Sequence, residues 1–201
     1  MRRRCWTASG ALALLLASPA WAHVRAGPTE GIVAGALHPL HGVDHWAVMV
    51  AVGVWARFLG GRGTWAVPLG FLASMVAGSW VGMHGRSATW VETGILVSAF
   101  LLGLLLAAAV RLPSWLGAAM GALFAFFHGH AHGTEVPFNA AGWAYGLGFS
   151  GSTALLHLLG ILLGEGLLRW GEGSRRPDRL VRLAGVALLV LRVVRVGGGW
   201  M

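Results

Sequence analysis

Two short segments of this 201-residue chain concentrate histidine and acidic side chains within otherwise apolar sequence. The first, HPLHGVDHWA, begins at residue 38, and the second, FHGHAHGTE, begins at residue 127. Imidazole nitrogens combined with carboxylate oxygens suit Zn, Ni, Co, Cu(II) or Fe(II), whereas Mg and Ca prefer oxygen ligands alone. The single cysteine, Cys5, lies near the N-terminus, so the two segments offer no thiolate. They therefore predict a site for a divalent transition metal ion.

The first segment has the spacing of a ligand-bearing helix face. On a continuous helix, His38, His41 and His45 fall within about 60° of one another, and Asp44 falls about 60° further round. The four groups would descend about 10 Å along that face. Pro39 predicts a loosened turn, because its ring removes a backbone donor.

The second segment contains a pair of histidines one helical turn apart. His128 and His132 can share a metal ion if the helix persists between them. Gly129 and Gly133 predict that the helix frays there, which would point His130 elsewhere or into a vestibule.

The composition places these segments in a membrane protein. The chain is 56% hydrophobic and 11% charged, with a mean hydropathy of +0.69, whereas soluble domains are about a quarter charged. The apolar runs are close to the ~20 residues that cross a bilayer core. We predict an all-α integral membrane protein, a six-transmembrane-helix bundle in one domain over 23–201. The predicted spans are 30–56, 65–83, 88–110, 113–130, 138–164 and 179–196.

Small and sulfur-containing residues recur inside the runs. The glycines of the fifth run predict close helix packing through faces of small residues; they are Gly142, Gly146, Gly148 and Gly151. Four methionines are scattered at positions that we expect to face lipid, which disfavours a Cu(I) site; they are Met49, Met75, Met83 and Met120.

The N-terminal 22 residues have the pattern of a cleaved signal peptide. Three arginines precede a short apolar stretch, and Ala20 and Ala22 form an A-x-A cleavage site. Cleavage would make His23 the mature N-terminus, and mass spectrometry of the mature protein tests this. The alternative is an uncleaved first helix.

The arginines predict the orientation. With an outside N-terminus, the inner loops carry Arg57 and Arg62, then Arg111, then five arginines between 169 and 182, as the positive-inside rule requires. Eight of the nine histidines then lie towards the outside, and His157 lies deeper. Arg192 and Arg195 in the last span depart from the rule, and we expect them to snorkel to the outer interface. We therefore predict a multi-pass protein of the bacterial inner membrane with a periplasmic mature N-terminus.

The same arginines account for the net charge of +8 without nucleic-acid binding, since they form no patch interleaved with aromatic residues. The chain has no lysine, which excludes a Walker A motif.

The two motifs, in this order, resemble those of the HupE/UreJ family of nickel permeases, H-x5-D-H and F-H-G-x-A-H-G-x-E. The sequence TALLHLLGILLG at 153–164 is similar to the fifth helix of that family. The resemblance implies import of Ni²⁺ into the cytoplasm for hydrogenase or urease, with Co²⁺ and Zn²⁺ as alternatives. The implied metal ligands are His38, Asp44, His45, His128, His132 and Glu135. Weaker candidates are His41, which departs from the family pattern, and His130, His157 and His23.

Rival functions remain open at this point. An intramembrane His/Asp zinc metallohydrolase would use the same ligands to activate water, and a sensor or accessory subunit would bind metal without moving it. A secondary transporter is favoured because His157 offers a relay at depth. His157 could instead bridge helices, and Glu92 is interpreted as an ordinary helix N-terminal acid. We expect no enzyme activity and no prosthetic group; the partners are a divalent ion and the lipid bilayer, and homo-oligomerisation is left open.

Overall fold

The computed structural model describes residues 31–85, 89–136, 138–172 and 178–197. The predicted signal peptide at 1–22 and the candidate ligand His23 lie outside these residues. Within them, every regular element is an α-helix, so the all-α prediction is confirmed.

The helices follow the predicted apolar runs, except that the first run forms two helices. In the described residues there are seven: α1 (Ile32–His41), α2 (Val43–Leu59), α3 (Gly63–His84), α4 (Thr89–Ala107), α5 (Ser114–Glu135), α6 (Ala140–Glu172) and α7 (Arg179–Gly197). Three have the length and hydropathy to cross a membrane, namely α3, α4 and the Ala141–Gly171 portion of α6.

Helices α3 and α5 pack more extensively than any other pair in the described residues, and glycine makes this possible. A Cβ at Gly129 of α5 would overlap the carbonyl oxygen of Met75 on α3, and Gly133 meets the next turn of α3 in the same way. Gly78 and Gly82 of α3 approach the α5 backbone reciprocally. The predicted fraying at Gly129 and Gly133 is therefore wrong. The helix continues through both, because their missing side chains are what lets the two backbones touch.

Helix α6 packs against α1 and α2 by the same means. A Cβ at Gly148 of α6 would overlap the carbonyl oxygen of Ile32, and Gly53 of α2 lies equally close to the α6 backbone. The packing predicted for the fifth run is thus correct at Gly148. It is wrong at Gly146 and Gly151, where a Cβ would meet no atom of the described residues within 4 Å.

Ion pairs formed by Arg57, Arg111 and Arg169 lie at the end of the bundle opposite to the two histidine motifs. Arg57, in the last turn of α2, pairs with Glu165 of α6, which also accepts a 2.6 Å hydrogen bond from Arg169. Arg111 lies 3.3 Å from Asp178 and donates to the backbone oxygen of Phe58 at 2.9 Å. These contacts tie the ends of several helices together and leave the opposite end to the histidines.

Candidate metal-binding site

The break between α1 and α2 lies at Gly42, an extended residue with φ −110° and ψ 118°. The prediction of one continuous helix is therefore wrong, and the break comes three residues after Pro39. Glycine is a poor helix former, and here it also provides room, because a Cβ would lie only 3.0 Å from Nδ1 of His45. The break lets His38, near the end of α1, face His45, near the start of α2, with ring centroids 5.7 Å apart.

The second motif brings its histidines to the same place. One ring nitrogen from each of His38, His45 and His132 lies within 4.8 Å of the other two. His128 lies one turn earlier on α5, with its ring centroid 5.5 Å from that of His45. We call these four residues the histidine cluster. Three of its members are at most 7% exposed, namely His45, His128 and His132.

The spacing of the histidine cluster can be compared with that of a bound ion. Metal–nitrogen bonds of about 2.0–2.1 Å place the ligands of one ion about 3–3.5 Å apart. The three nitrogens would therefore have to close by roughly 1–2 Å around an ion. The arrangement is a set of converging neutral ligands that is more open than a tight structural site.

Two residues of the first motif do not join this cluster. His41 is exposed at the end of α1, because the break at Gly42 removes the continuous face that would have aligned it with His45. Asp44 instead lies beside α7, where its Oδ2 is 3.5 Å from Nη1 of Arg192. The predicted common face of four groups is therefore wrong for His41 and Asp44.

The Asp44–Arg192 pair also corrects the interpretation of the last helix. The Arg192 side chain is only 12% exposed and that of Asp44 22%, so the guanidinium points into the protein rather than to the outer interface. Each charge offsets the desolvation cost of the other. The Asp44 carboxylate, although adjacent to His45 in sequence, is therefore paired with the Arg192 guanidinium.

A second acidic region borders the cluster through Glu135. Its Oε2 lies 4.0 Å from Nδ1 of His132, and it interacts electrostatically with Glu92 of α4 and with Tyr145 of α6. Glu92 does lie in the first turn of its helix, but its proximity to Glu135 was missed from the sequence. The sequence offered one indication that Glu92 has a functional role, namely that it is an ionisable residue at the outer end of a predicted membrane span. A cation near His132 would reduce the repulsion between the two carboxylates.

Aromatic side chains of α6 form one wall of the cluster. The Phe149 ring lies 4.5 Å from that of His132 and 5.7 Å from that of His38, and the Tyr145 ring lies 5.8 Å from that of His38. Sequence reasoning missed both, although Tyr145 is the only tyrosine of the chain and lies one turn before Phe149. Both also line a cavity of about 100 Å³ that reaches His132. An apolar wall lowers the local dielectric and strengthens electrostatic attraction for a cation.

Two further histidines lie apart from the cluster. His130 is 4% exposed, but it projects towards Trp90 and Phe126, whose ring centroids are 5.7 and 6.4 Å away. His84 is exposed, and its Nδ1 lies 2.7 Å from the backbone oxygen of Trp80. The structure therefore does not bring His130 into the histidine cluster.

His157 lies deeper in α6, only 1% exposed, with its ring edge-on to Phe71 of α3 at 4.8 Å. Met49 and Met75 are also buried, at 0% and 1% exposure. The prediction that the methionines face lipid is therefore wrong for these two, because they fill the core between the helices.

Comparison with known proteins agrees with the motifs. The family model described as HupE / UreJ protein matches residues 11–194. Protein HupE of Rhizobium leguminosarum bv. viciae is 42% identical over 180 residues, which are 87% of this chain and 93% of that protein. No solved structure matches the chain. With a family model that covers most of its length and a relative of this similarity, the chain belongs to the HupE/UreJ family.

Proposed function

We propose that this protein is a secondary transporter that moves a divalent transition metal ion, with Ni²⁺ as its cargo, across the bacterial inner membrane into the cytoplasm. The observation that carries the proposal is the convergence of His38, His45 and His132 from three different helices, with nitrogens within 4.8 Å of one another. His45 and His132 are buried and His38 is partly buried, and removing polar side chains from water costs free energy that binding of an ion can offset. Nitrogen ligands suit Ni²⁺, Co²⁺ and Zn²⁺.

The proposed topology has six spans, counting α1 and α2 as one broken span, with the histidine cluster on the periplasmic side. The arginine-rich end, with Arg57, Arg111 and Arg169, then lies in the cytoplasm, as the positive-inside rule favours. Broken spans are a common way to build ion sites in transporters, because the break frees backbone groups and presents side chains to a cavity. Cleavage after Ala22 would place the mature N-terminus outside.

The membrane potential is a sufficient driving force for this transport. A charge moving inward gains about 2.3 kcal/mol per 100 mV. At 100 mV a divalent ion therefore gains about 5 kcal/mol, which corresponds to a ratio of inside to outside concentration of roughly a few thousand. Facilitated entry thus needs neither nucleotide hydrolysis nor proton exchange.

The cluster would capture the ion and replace part of its water shell. His38, His45 and His132 are the proposed ligands, with His128 close enough to exchange for one of them. Glu135 adds negative charge at His132. Asp44 adds negative charge near His45 when an incoming cation competes with Arg192.

Flux into sealed vesicles tests this proposal. Purified full-length protein is reconstituted into lipid vesicles, and entry of Ni²⁺ is followed with a trapped chelating dye. Wild type should admit Ni²⁺, His45→Ala should lose at least nine-tenths of the flux, and His41→Leu, the exposed control from the same motif, should keep most of it. Ni²⁺ binding without any flux in the wild type would instead indicate a sensor, an accessory subunit or a zinc hydrolase and would overturn the proposal.

A further inference from the structure

The middle of α6 contains two buried polar side chains that the histidine cluster does not use. His157 is 1% exposed and Thr153 is 0% exposed. Among the residues that the structure describes, neither the ring nitrogens of His157 nor the hydroxyl oxygen of Thr153 has a hydrogen-bond partner. A neutral imidazole has one donor and one acceptor, and each buried polar group left unsatisfied costs about 1–3 kcal/mol. Apolar residues of similar size would avoid this cost, so a function is the better explanation for these two.

These side chains continue the stripe of α6 that touches the histidine cluster. Tyr145, Phe149, Thr153 and His157 follow one another at intervals of four residues, so each is a neighbour of the one before it on the helix surface, and the row winds round the axis by about 40° at each step. Phe149 contacts the rings of His38 and His132. His157 lies eight residues further, or about 12 Å along the helix.

Helix α2 independently gives the same distance between the histidine cluster and the level of His157. Gly53 of α2 is the residue whose Cβ would overlap the His157 backbone oxygen. It lies eight residues after His45, again about 12 Å along its helix. Two helices that share the cluster at one end thus place His157 about two turns closer to the arginine-rich end.

Phe71 contacts His157, and two buried methionines lie in the neighbouring turns of α2 and α3. The edge-on ring of Phe71 covers the imidazole at 4.8 Å. Met49, one turn inward of His45 on α2, and Met75, one turn from Phe71 on α3, are fully buried. Methionine is flexible and polarisable, so side chains at this level can rearrange at low cost.

We propose that His157 and Thr153 form an inner coordination station for the divalent ion after it leaves the histidine cluster, with an imidazole nitrogen and a neutral hydroxyl oxygen as ligands. This rests on the proposed transport function. One nitrogen and one hydroxyl bind a divalent ion more weakly than several imidazoles with nearby carboxylates. Conduction requires that sites bind well enough to receive the ion and weakly enough to release it. A strong outer site followed by a weak inner one meets that requirement for inward movement.

The station predicts a separation of binding from flux. His157→Leu in the full-length protein should keep equilibrium binding of Ni²⁺ within about twofold, since the outer cluster is intact, and should lower vesicle flux at least tenfold. Thr153→Val, which keeps the side-chain shape, should lower flux two- to tenfold. His45→Ala should lose both binding and flux, which distinguishes the outer site from the inner one.

Thermal unfolding in detergent separates this role from a structural one. Since His157 has no hydrogen-bond partner within the described part of the chain, His157→Leu should leave the melting temperature unchanged or raise it. Flux of His157→Leu within twofold of wild type would overturn the inner station while leaving the transport function standing. Failure of His157→Leu to insert and fold, or loss of Ni²⁺ binding equal to that of His45→Ala, would also overturn it. Absence of flux in the wild type would overturn the transport function and the station together.

Discussion

His130 and His132 provide a matched test of the histidine cluster, because they lie two residues apart on one helix. They are 4% and 3% exposed, so burial does not distinguish them. They differ in direction, since His132 lies with His38 and His45 while His130 lies against Trp90. We expect His132→Ala to weaken Ni²⁺ binding severely and His130→Ala to change it less than about threefold.

The magnitude follows from the number of ligands. Removing a residue that merely orients a metal ligand costs about 10- to 100-fold in affinity, so removing one of three converging nitrogens should cost at least about 100-fold. At about 1.4 kcal/mol for each tenfold, this is at least about 2.8 kcal/mol. Both truncations leave a cavity of similar size, so both should destabilise the fold by a similar amount, about 2–4 kcal/mol.

Isothermal titration of the purified variants with Ni²⁺ measures the difference, and thermal unfolding of the same samples checks that both are folded. If His132→Ala does not fold, His132→Asn provides a polar replacement that fills more of the site and should still weaken binding strongly. Equal dissociation constants for the variants at positions 130 and 132 would refute the assignment of the cluster as the metal site.

Three other outcomes are expected. Gly129→Ala should strongly lower the melting temperature in detergent, because its methyl group would overlap the Met75 carbonyl. Gly146→Ala should leave the melting temperature unchanged or raise it, since alanine is favoured over glycine in a helix by about 1 kcal/mol. Equal effects of the two substitutions would contradict the close packing. Arg192→Gln should destabilise the protein by about 3 kcal/mol by removing the charge opposite Asp44. Adding Asp44→Asn should restore most of the loss in a double-mutant cycle, and strictly additive losses would exclude the pair. Ni²⁺ uptake should fall as the outside pH is lowered from about 7 to about 5, because protons compete with the ion for imidazoles whose ordinary pKa is about 6.5. A rate of uptake that does not depend on pH would count against capture of the ion by histidine.

Much of the helical framework could be read from hydropathy. The apolar runs predicted the helices to within a few residues at most ends, since helix formation in such segments depends on local composition and length. The exception was the first run, where proline was expected to loosen the helix and Gly42 broke it instead. The sequence does not show whether the helix will break at Pro39 or at Gly42, because the position of the break depends on tertiary packing. Here the His45 ring packs against Gly42.

The roles of the glycines needed the fold. Low helix propensity correctly describes an isolated glycine, and on that ground Gly129 and Gly133 were expected to fray. Against α3 their missing side chains permit backbone contact, and the packing outweighs the propensity. Gly146 has the same intrinsic properties and has no such neighbour.

The sequence by itself determined which residue types could bind a metal ion and that they occur in two separate motifs within apolar segments. It did so because ionisable groups are expensive in such segments and are retained for binding. Only the tertiary structure decided which of them meet. His38, His45 and His132 converge, while Asp44 pairs with Arg192 and His130 faces away. Spacing along a helix sets an angle about that helix axis alone; which neighbour lies at that angle depends on how the other helices pack.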